Sequence, residues 1–546
     1  MSYLMPFVVA MAVAMAWLPL LARLATRWRI VDEPGVRKVH ATPIPRIGGL
    51  AMALGVFAAA AIAIDLQVQD RWFLVAAALL VAFGALDDRL NLDYRIKFAG
   101  QLVAVGIVVV LGDVHVRAIT LEDRIMLPGW ISLPLTVLFL VGITNAINLA
   151  DGLDGLAGGT TFLCLCAVAV LSSFEDHNAS TALCLAFAGA ILGFLRYNTY
   201  PATVFMGDAG SQLLGFTVGV LSIRATQNLT SQVSAAIPIL LLAIPILDTL
   251  SVMVQRIGEG RSPFSADKNH IHHKLLALGF GHHEAVMVIY TLQASLIVAA
   301  YLLRFESDIT ILAFVSAFFV TSITVLQMSA RFGWRLRRAS GAAAESAYSR
   351  IVTAIQKSQL VPQLAYQTIV FGIAGYAALI VVGTAAISSD VLALVIALFA
   401  LSVGLMVILR AGPLSVVEKG ALYVTATVLV YLDVMVLPAD RPTSILTWIA
   451  VSIAAVATAV RLRLQNDRRF QITPLDLIVL FIALVVPSLS GTFKLPHGGA
   501  LIIAKLLILF YAIEVLVSRA EGRAVWVRVA VVSILAALTI RPLISF

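Results

Sequence analysis

TVLFLVGITNAINLADGLDGLAGG, Thr136 to Gly159, passes from an apolar run straight into a dense set of oxygen ligands. Asn145, Asn148, Asp151 and Asp154 recur three residues apart, so on a helix they share a face. In a glycine-broken segment they can instead converge on one hard cation or a nucleotide. The stretch is not an EF-hand loop, because the ligand pattern of that loop and its final Glu are missing.

A polar cluster fed directly from an apolar run implies a helix leaving a membrane, and the composition agrees. Of 546 residues only 12% are charged and 60% are hydrophobic, with a mean hydropathy of +0.98. An ordinary soluble domain carries roughly 25% charged residues. No soluble core hides that much apolar surface, because a soluble protein needs a polar skin. Disordered, collagen-like and disulfide-rich secreted chains are excluded as well. Cys164, Cys166 and Cys184 sit in apolar runs with no CxxC or Cys/His grouping and read as inert packing residues. The first apolar run, from Met5 to about Leu24, carries no cleavage pattern and reads as a retained helix.

About eighteen apolar segments follow this logic. Eleven lie before Met328, near 5–26, 48–65, 72–86, 98–112, 131–148, 159–173, 181–195, 211–224, 234–256, 284–302 and 308–328. Seven lie beyond, near 366–386, 391–409, 420–437, 443–460, 474–490, 498–517 and 526–543. The expected fold is an all-α polytopic membrane protein with about 11 transmembrane helices in a first half and about 7 more in a second. A basic stretch rich in small residues divides them. Residues 1–330 form one expected domain, 331–363 a cytoplasmic linker with a surface helix from Ala344 to Ile355, and 364–546 another domain. With both termini outside, inside loops and helix ends hold 29 of the 38 Lys and Arg residues. That is the bias of the positive-inside rule. The net charge of +8 therefore needs no nucleic-acid partner.

In the first half the ionisable stretches fall on the inside loops, and the outside loops look short or featureless. One-sided clustering points to a reaction at the cytoplasmic face. The first inside loop, VDEPGVRKVHATPIPRIGG from Val31 to Gly49, offers Arg37, Lys38, His40 and Arg46 to phosphate; the plainer alternative is an ordinary positive-inside loop. Asp87 and Asp88 close an apolar span and repel one another unless Mg²⁺ or nearby Arg and Lys offset them. The plainer reading there is a solvated helix end with Arg89 and Lys97. Gly207-Asp208-Ala209-Gly210-Ser211 presents a carboxylate in a turn before a helix, which suits Mg²⁺ bound to phosphate. The longest inside loop of this half, Arg256 to Leu276, carries His270, His272 and His273 among Arg261, Lys268 and Lys274. Their spacing differs from the helical histidine pair of zinc proteases, and the cationic neighbours favour an anion such as a diphosphate. Asp248 lies inside the preceding span, where a carboxylate is functional by default. Together these are the parts for Mg²⁺-assisted phosphoryl transfer.

The order DEPxxRKxH at 32–40, Asp87-Asp88, NxxNxxDGxDGL at 145–156, FMGDxGS at 205–211 and HIHH at 270–273 closely resembles the polyprenyl-phosphate N-acetylhexosamine-1-phosphate transferases. The resemblance covers roughly residues 1–330. It implies ten or eleven transmembrane helices around a cytoplasm-facing cleft in a bacterial inner membrane. It implies transfer of a HexNAc-1-phosphate from a UDP-sugar to undecaprenyl phosphate, with release of UMP, as the start of a cell-envelope polysaccharide. By this likeness Asp208 ligates Mg²⁺, or Mn²⁺ in its place, with Asn148 as a second ligand. Asp87, Asp88, Asp151 and Asp154 form the catalytic and nucleotide-facing carboxylates. Arg37, Lys38, His40, Lys97, Asn145, His270, His272 and His273 serve the substrates. A homodimer is kept open as an assembly. HIHH resembles the GlcNAc branch, so UDP-GlcNAc is the first donor expected, with UDP-FucNAc or UDP-QuiNAc as the alternative.

A phosphate monoester has a second pKa of about 6 and is mostly a dianion at neutral pH. A one-step attack on the β-phosphorus is therefore expected over a covalent aspartyl intermediate. Asp208→Asn should abolish activity and Asp87→Asn should slow it. Residues 364–546 fall outside the resemblance. Asp433, Asp476, Lys505 and Glu514 are their polar residues at membrane depth, and Asp433 and Lys505 are placed to pair across spans. A docking bundle, a lipid-linked sugar transporter and a second glycan-processing domain are the readings of this half. For the whole chain, a transporter or flippase of lipid-linked sugars and a degenerate, non-catalytic scaffold are the rivals to the transferase.

Overall fold

In hydrocarbon, backbone groups must be satisfied within the chain, so apolar runs fold as helices. The computed structural model describes residues 4–33, 43–174, 178–227, 233–262, 270–332, 360–384, 387, 389–408, 416–437, 442–464, 499–517 and 524–544. Helices α1 (Leu4–Trp28), α2 (Gly48–Ala63), α3 (Val68–Leu90), α4 (Tyr94–Val110), α5 (Gly129–Ala150), α6 (Leu156–Phe174), α7 (Asn178–Asn198) and α8 (Gly207–Thr226) come first. The short α9 (Ile237–Leu241), then α10 (Ala243–Gly258), α11 (Ile271–Ala277), α12 (His282–Leu302) and α13 (Asp308–Arg331) complete the first of two compact units. The second unit contains α14 (Leu360–Gly383), α15 (Ser389–Ile408), α16 (Val416–Tyr431), α17 (Pro442–Leu464), α18 (Gly499–Val517) and α19 (Ala524–Ile544).

Each of the eleven apolar segments expected in the first half falls on a helix, except that 234–256 is split into α9 and α10. Pro245 is the physical reason. It has no N–H to give the carbonyl four residues earlier, on Leu241. That carbonyl is satisfied from outside, by Gln293 Nε2 at 2.9 Å and Cys164 Sγ at 3.2 Å. Cys164 thus has a hydrogen-bonding part as well as a packing one. Seven described helices are long and apolar enough to cross a membrane, six of them before residue 330. Helices α2, α4 and α10 have 16, 17 and 16 residues, shorter than the about 20 that an upright span requires. The linker helix expected from Ala344 to Ile355 and the segment near 474–490 lie outside the described residues.

Helix α8 is the axis of the first unit. From Ala209 to Thr226 every residue but Arg224 is buried, as an all-round apolar helix must be. It packs against α3, α5, α6 and α2, while α1 lies along α7 and α2. At the end of α8 remote from Asp208, strands β3 (Ala118–Thr120) and β4 (Arg124–Met126) pair antiparallel, with Ile119 opposite Ile125. This end is not featureless. Asp308 accepts from Thr120 N at 2.7 Å, Ser234 Oγ at 2.5 Å and Ala236 N at 2.9 Å. Gln227 Oε1 accepts from Arg117 N and Ala118 N, and Arg224 pairs with Asp70 at 2.6 Å. These partners are 72 to 188 residues apart in the chain for Asp308 alone, a separation that hides them from sequence reading.

In the second unit Asp433 and Lys505 do pair, at 2.5 Å and with both side chains buried. Tyr376 Oη donates to Asp433 Oδ2 and Thr447 Oγ1 to Oδ1, each at 3.0 Å. The Lys505 ammonium also lies over the Trp448 ring at 4.4 Å. Asp433 sits in a single π-helical turn, Leu432–Val436, that ends α16. A second buried pair joins Glu418 to Arg528 at 2.5 Å. Isolated charges at membrane depth are costly, and both pairs cancel their charge locally.

Candidate active site

The site is assembled at the N-terminal end of α8. Strands β1 (Val31–Asp32) and β2 (Ile44–Pro45) form a short antiparallel ladder leading into α2. Phe205 N donates to Pro45 O at 2.8 Å, and Gly48 N and Gly49 N donate to Phe205 O and Met206 O at 2.9 Å each. The first predicted phosphate loop is thereby laced to the FMGD turn. Arg46 sits in that lacing, paired with Asp32. Arg37, Lys38 and His40 lie outside the described residues.

Helix α3 comes in against the same turn. A Cβ on Gly84 would meet Ala209 Cα at 2.4 Å, so only glycine lets α3 approach α8 this closely. The approach seats Asp88. Its Oδ1 accepts from Asp208 N at 3.0 Å and its Oδ2 from Ala209 N at 3.2 Å. It therefore satisfies first-turn donors of α8 at the positive end of that helix. Asp87, one residue earlier, lies against the side chain of Asp208 rather than its backbone. It is buried, accepts from Leu92 N at 2.8 Å and pairs with Lys97. Lys97 also reaches Asp208 Oδ2 at 3.1 Å. One ammonium from α4 thus bridges a carboxylate of α3 and one of α8, and the Asp208 side chain keeps 30% of its surface exposed.

The opening stretch divides in two. Asn145 lies within α5 and bonds Gln101 Oε1 through Nδ2 at 2.8 Å, while Gln101 Nε2 bonds Gln212 Oε1 at 3.1 Å. Asn148 is in the last turn of α5, half-buried. Asp151 caps that helix. Burial, then the charges of Asp208, Asp154 and Asp88, push the Asp151 carboxyl up to about 7. Asp154 Oδ2 accepts from Ala202 N at 2.9 Å. The loop is tied just after Asp154 by Asn198, whose Oδ1 accepts from Gly155 N at 2.9 Å, and by Tyr290, whose hydroxyl donates to Gly155 O at 2.6 Å.

The histidines stand beside this loop. His270 and His272 are buried and stacked, with centroids 5.7 Å apart, and His273 tilts against His272 at 4.3 Å. Burial, with neighbouring imidazoles adding to it and Asp248 opposing, lowers His272 to about 4. At neutral pH that leaves it an uncharged hydrogen-bonding group.

The structure gathers Asp87, Asp88, Lys97 and Asp208 at one end of α8, with the Asp151–Asp154 loop close enough for their charges to act on one another. Arg46, Gln101, Asn198, Gln212 and Tyr290 complete the framework. Gln101, Gln212, Asn198 and Tyr290 carry no sequence signal, since each acts through a partner at least 43 residues away. Among the described residues no three His, Cys, Asp or Glu side chains form a ready-made metal cage. The donors are nonetheless hard oxygens with surplus negative charge. That suits Mg²⁺, which binds through one or two carboxylates and completes its shell with water and substrate phosphate.

The described chain is mainly helical, with apolar helices long enough to cross a membrane and with carboxylates and a lysine gathered at the end of a buried helix. The chain belongs to glycosyl transferase family 4, whose model matches residues 71–226. It is 39% identical over 303 residues to a Bacillus subtilis protein named "Probable undecaprenyl-phosphate N-acetylglucosaminyl 1-phosphate transferase", a match covering 55% of this chain and 84% of that protein. It is 38% identical over 298 residues to the decaprenyl-phosphate N-acetylglucosaminephosphotransferase of Mycolicibacterium smegmatis, covering 49% and 73%. It is 32% identical over 330 residues to the undecaprenyl-phosphate alpha-N-acetylglucosaminyl 1-phosphate transferase of Escherichia coli K12, covering 58% and 89%.

Proposed function

We propose that this protein transfers a HexNAc-1-phosphate, GlcNAc-1-phosphate first, from a UDP-sugar to undecaprenyl phosphate and releases UMP. The reaction would start a cell-envelope polysaccharide at the cytoplasmic face of a bacterial inner membrane. The observation that carries this reading is the Asp87–Lys97–Asp208 bridge at the end of α8. A lysine between two carboxylates has a strong reason to be there if phosphates are handled between them.

In the proposed step an oxygen of the lipid phosphate attacks the sugar-linked phosphorus of the donor. A new P–O–P bond forms, the original bridging P–O bond breaks, and UMP leaves with its electron pair. Bound Mg²⁺, or Mn²⁺ in its place, would neutralise phosphate charge, with Asp208 and Asn148 as the residues that would hold it. Lys97 orients and offsets phosphate charge. Asp88 fixes the turn that carries Asp208, and Asp87 holds Lys97. Because both Asp88 oxygens accept α8 N–H groups and Asp87 is engaged by Lys97 and Leu92 N, neither is poised as a covalent nucleophile. That supports a one-step transfer, which needs orientation more than a strong base. A flippase would line a path across the bilayer with open ionisable groups. Asp70 and Asp308, at the opposite end, are instead closed in local hydrogen bonds.

Membranes incubated with labelled UDP-GlcNAc, Mg²⁺ and undecaprenyl phosphate should yield chloroform-extractable label and free UMP. UDP-FucNAc and UDP-QuiNAc assayed alongside decide the donor. No transfer from any of the three overturns the reading.

A further inference from the structure

Asp248 is the one carboxylate of α10, and it is buried. A cavity beside it is lined by Ala150, Leu156, Ile244 and Ile289. A carboxylate among such residues is expensive unless its hydrogen bonds are complete. Both oxygens are used, and both are used on the histidine segment. Oδ1 accepts the Ile271 N–H at 2.7 Å, and Oδ2 meets His270 Nδ1 at 2.9 Å. An ionised carboxylate only accepts, so in that contact the His270 ring donates from Nδ1. His270 is the N-cap of α11 yet makes no cap of its own, so Asp248 satisfies that helix end from α10. The chain of contacts then runs from His270 to His272 by stacking and from His272 to His273. It ends on the carboxylate loop, since a Cβ on Gly152 would lie 2.3 Å from His272 Nε2.

We propose that Asp248 is the positioning residue of the histidine segment: it seats His270, and through it His272 and His273, against Gly152, and so sets the grip on the diphosphate-sugar donor. The proposal rests on the transferase reading and adds the residue that makes the histidines a fixed surface. Asp248 touches no reacting atom in it.

Full-length Asp248→Ala, Asp248→Asn and Asp248→Glu variants in membranes test it. In Asp248→Ala the KM for UDP-GlcNAc should rise roughly tenfold while kcat stays within about threefold, because a loosened support costs binding geometry before it costs chemistry. Asp248→Asn keeps an acceptor for Ile271 N–H and should fall between, and Asp248→Glu should recover part of the loss. Independently of turnover, His270 and His272 should be protected from diethyl pyrocarbonate in the wild type and become modified in Asp248→Ala, as read by mass spectrometry. An unchanged KM, with only the amount of folded protein reduced, overturns the proposal, as does unchanged labelling. If the wild type itself transfers nothing from UDP-GlcNAc, the functional reading fails, and the labelling still decides whether Asp248 seats the histidines.

Discussion

Asp87 and Asp88 are neighbours in sequence and reach Asp208 from different sides, Asp87 at its side chain and Asp88 at its backbone N–H. Successive side chains on a helix point about 100° apart, so one meets the side chains of Lys97 and Asp208 and the other the first backbone N–H groups of α8. The carboxylates were legible as a pair because two charges ending an apolar span need a reason. Their division of labour was not, because it depends on which helix stands on each side. Asp88→Asn keeps one acceptor oxygen but loses the second that the first N–H groups of α8 use, and should cut kcat about tenfold or more with a loss of thermal stability of about 1 kcal/mol. Asp87→Asn should slow turnover with a smaller stability change; equal effects on both measures would contradict the assignment. Asp151 gives a pH test. Its carboxyl is raised from 3.8 to about 7 by burial and then by like charges. Between those values the folded chain holds a proton that the unfolded chain releases, so this group's contribution to stability falls as pH rises through the window. In chelator the thermal midpoint should drop between pH 5 and pH 7.5, and Asp151→Asn should flatten that drop.

At the scale of helices, the framework under the site is an amide cluster that no motif announces. Gln101 lies one turn below Lys97 on α4, Asn145 one turn below Asn148 on α5, and Gln212 one turn below Asp208 on α8. Their hydrogen bonds join the three helices a single turn beneath the residues those helices contribute. Asn145 was read from the sequence as part of a ligand row, because a three-residue spacing shows that residues share a face and not what the face meets. Gln101→Leu takes a partner from the buried Gln212 and from the half-buried Asn145, which keeps Val141 O. It should lower the stability of the first unit by about 1–3 kcal/mol, measured by thermal unfolding in detergent, and weaken activity in proportion to the lost alignment of Lys97. A Gln101→Leu enzyme with normal stability would show that the cluster does not hold the helices. The split of α9 from α10 is the contrasting case. There Pro245 was readable, and what could not be read was that Gln293 and Cys164 take up the carbonyl it releases.

For the whole molecule, the two compact units carry their polar chemistry differently. In the first, the carboxylates at the site end repel one another, and Asp208 remains partly open. In the second, Asp433 has its oxygens filled by Tyr376, Thr447 and Lys505, while Glu418 is matched by Arg528. The sequence suggested the Asp433–Lys505 pair from their similar depth. Tyr376 and Thr447 were invisible because each lies on another helix. A closed network of this kind stabilises a bundle when complete and is damaging when half removed. Lys505→Met strands a buried carboxylate and should cost about 3–5 kcal/mol, seen as reduced accumulation of folded protein. Asp433→Asn/Lys505→Met should recover most of it. Every described site residue lies before Arg331. Transfer activity per folded molecule should therefore be unchanged in Lys505→Met and retained in a chain ended near residue 345. A truncated chain that folds, by its thermal transition, yet transfers no label would instead assign the second unit a part in the reaction.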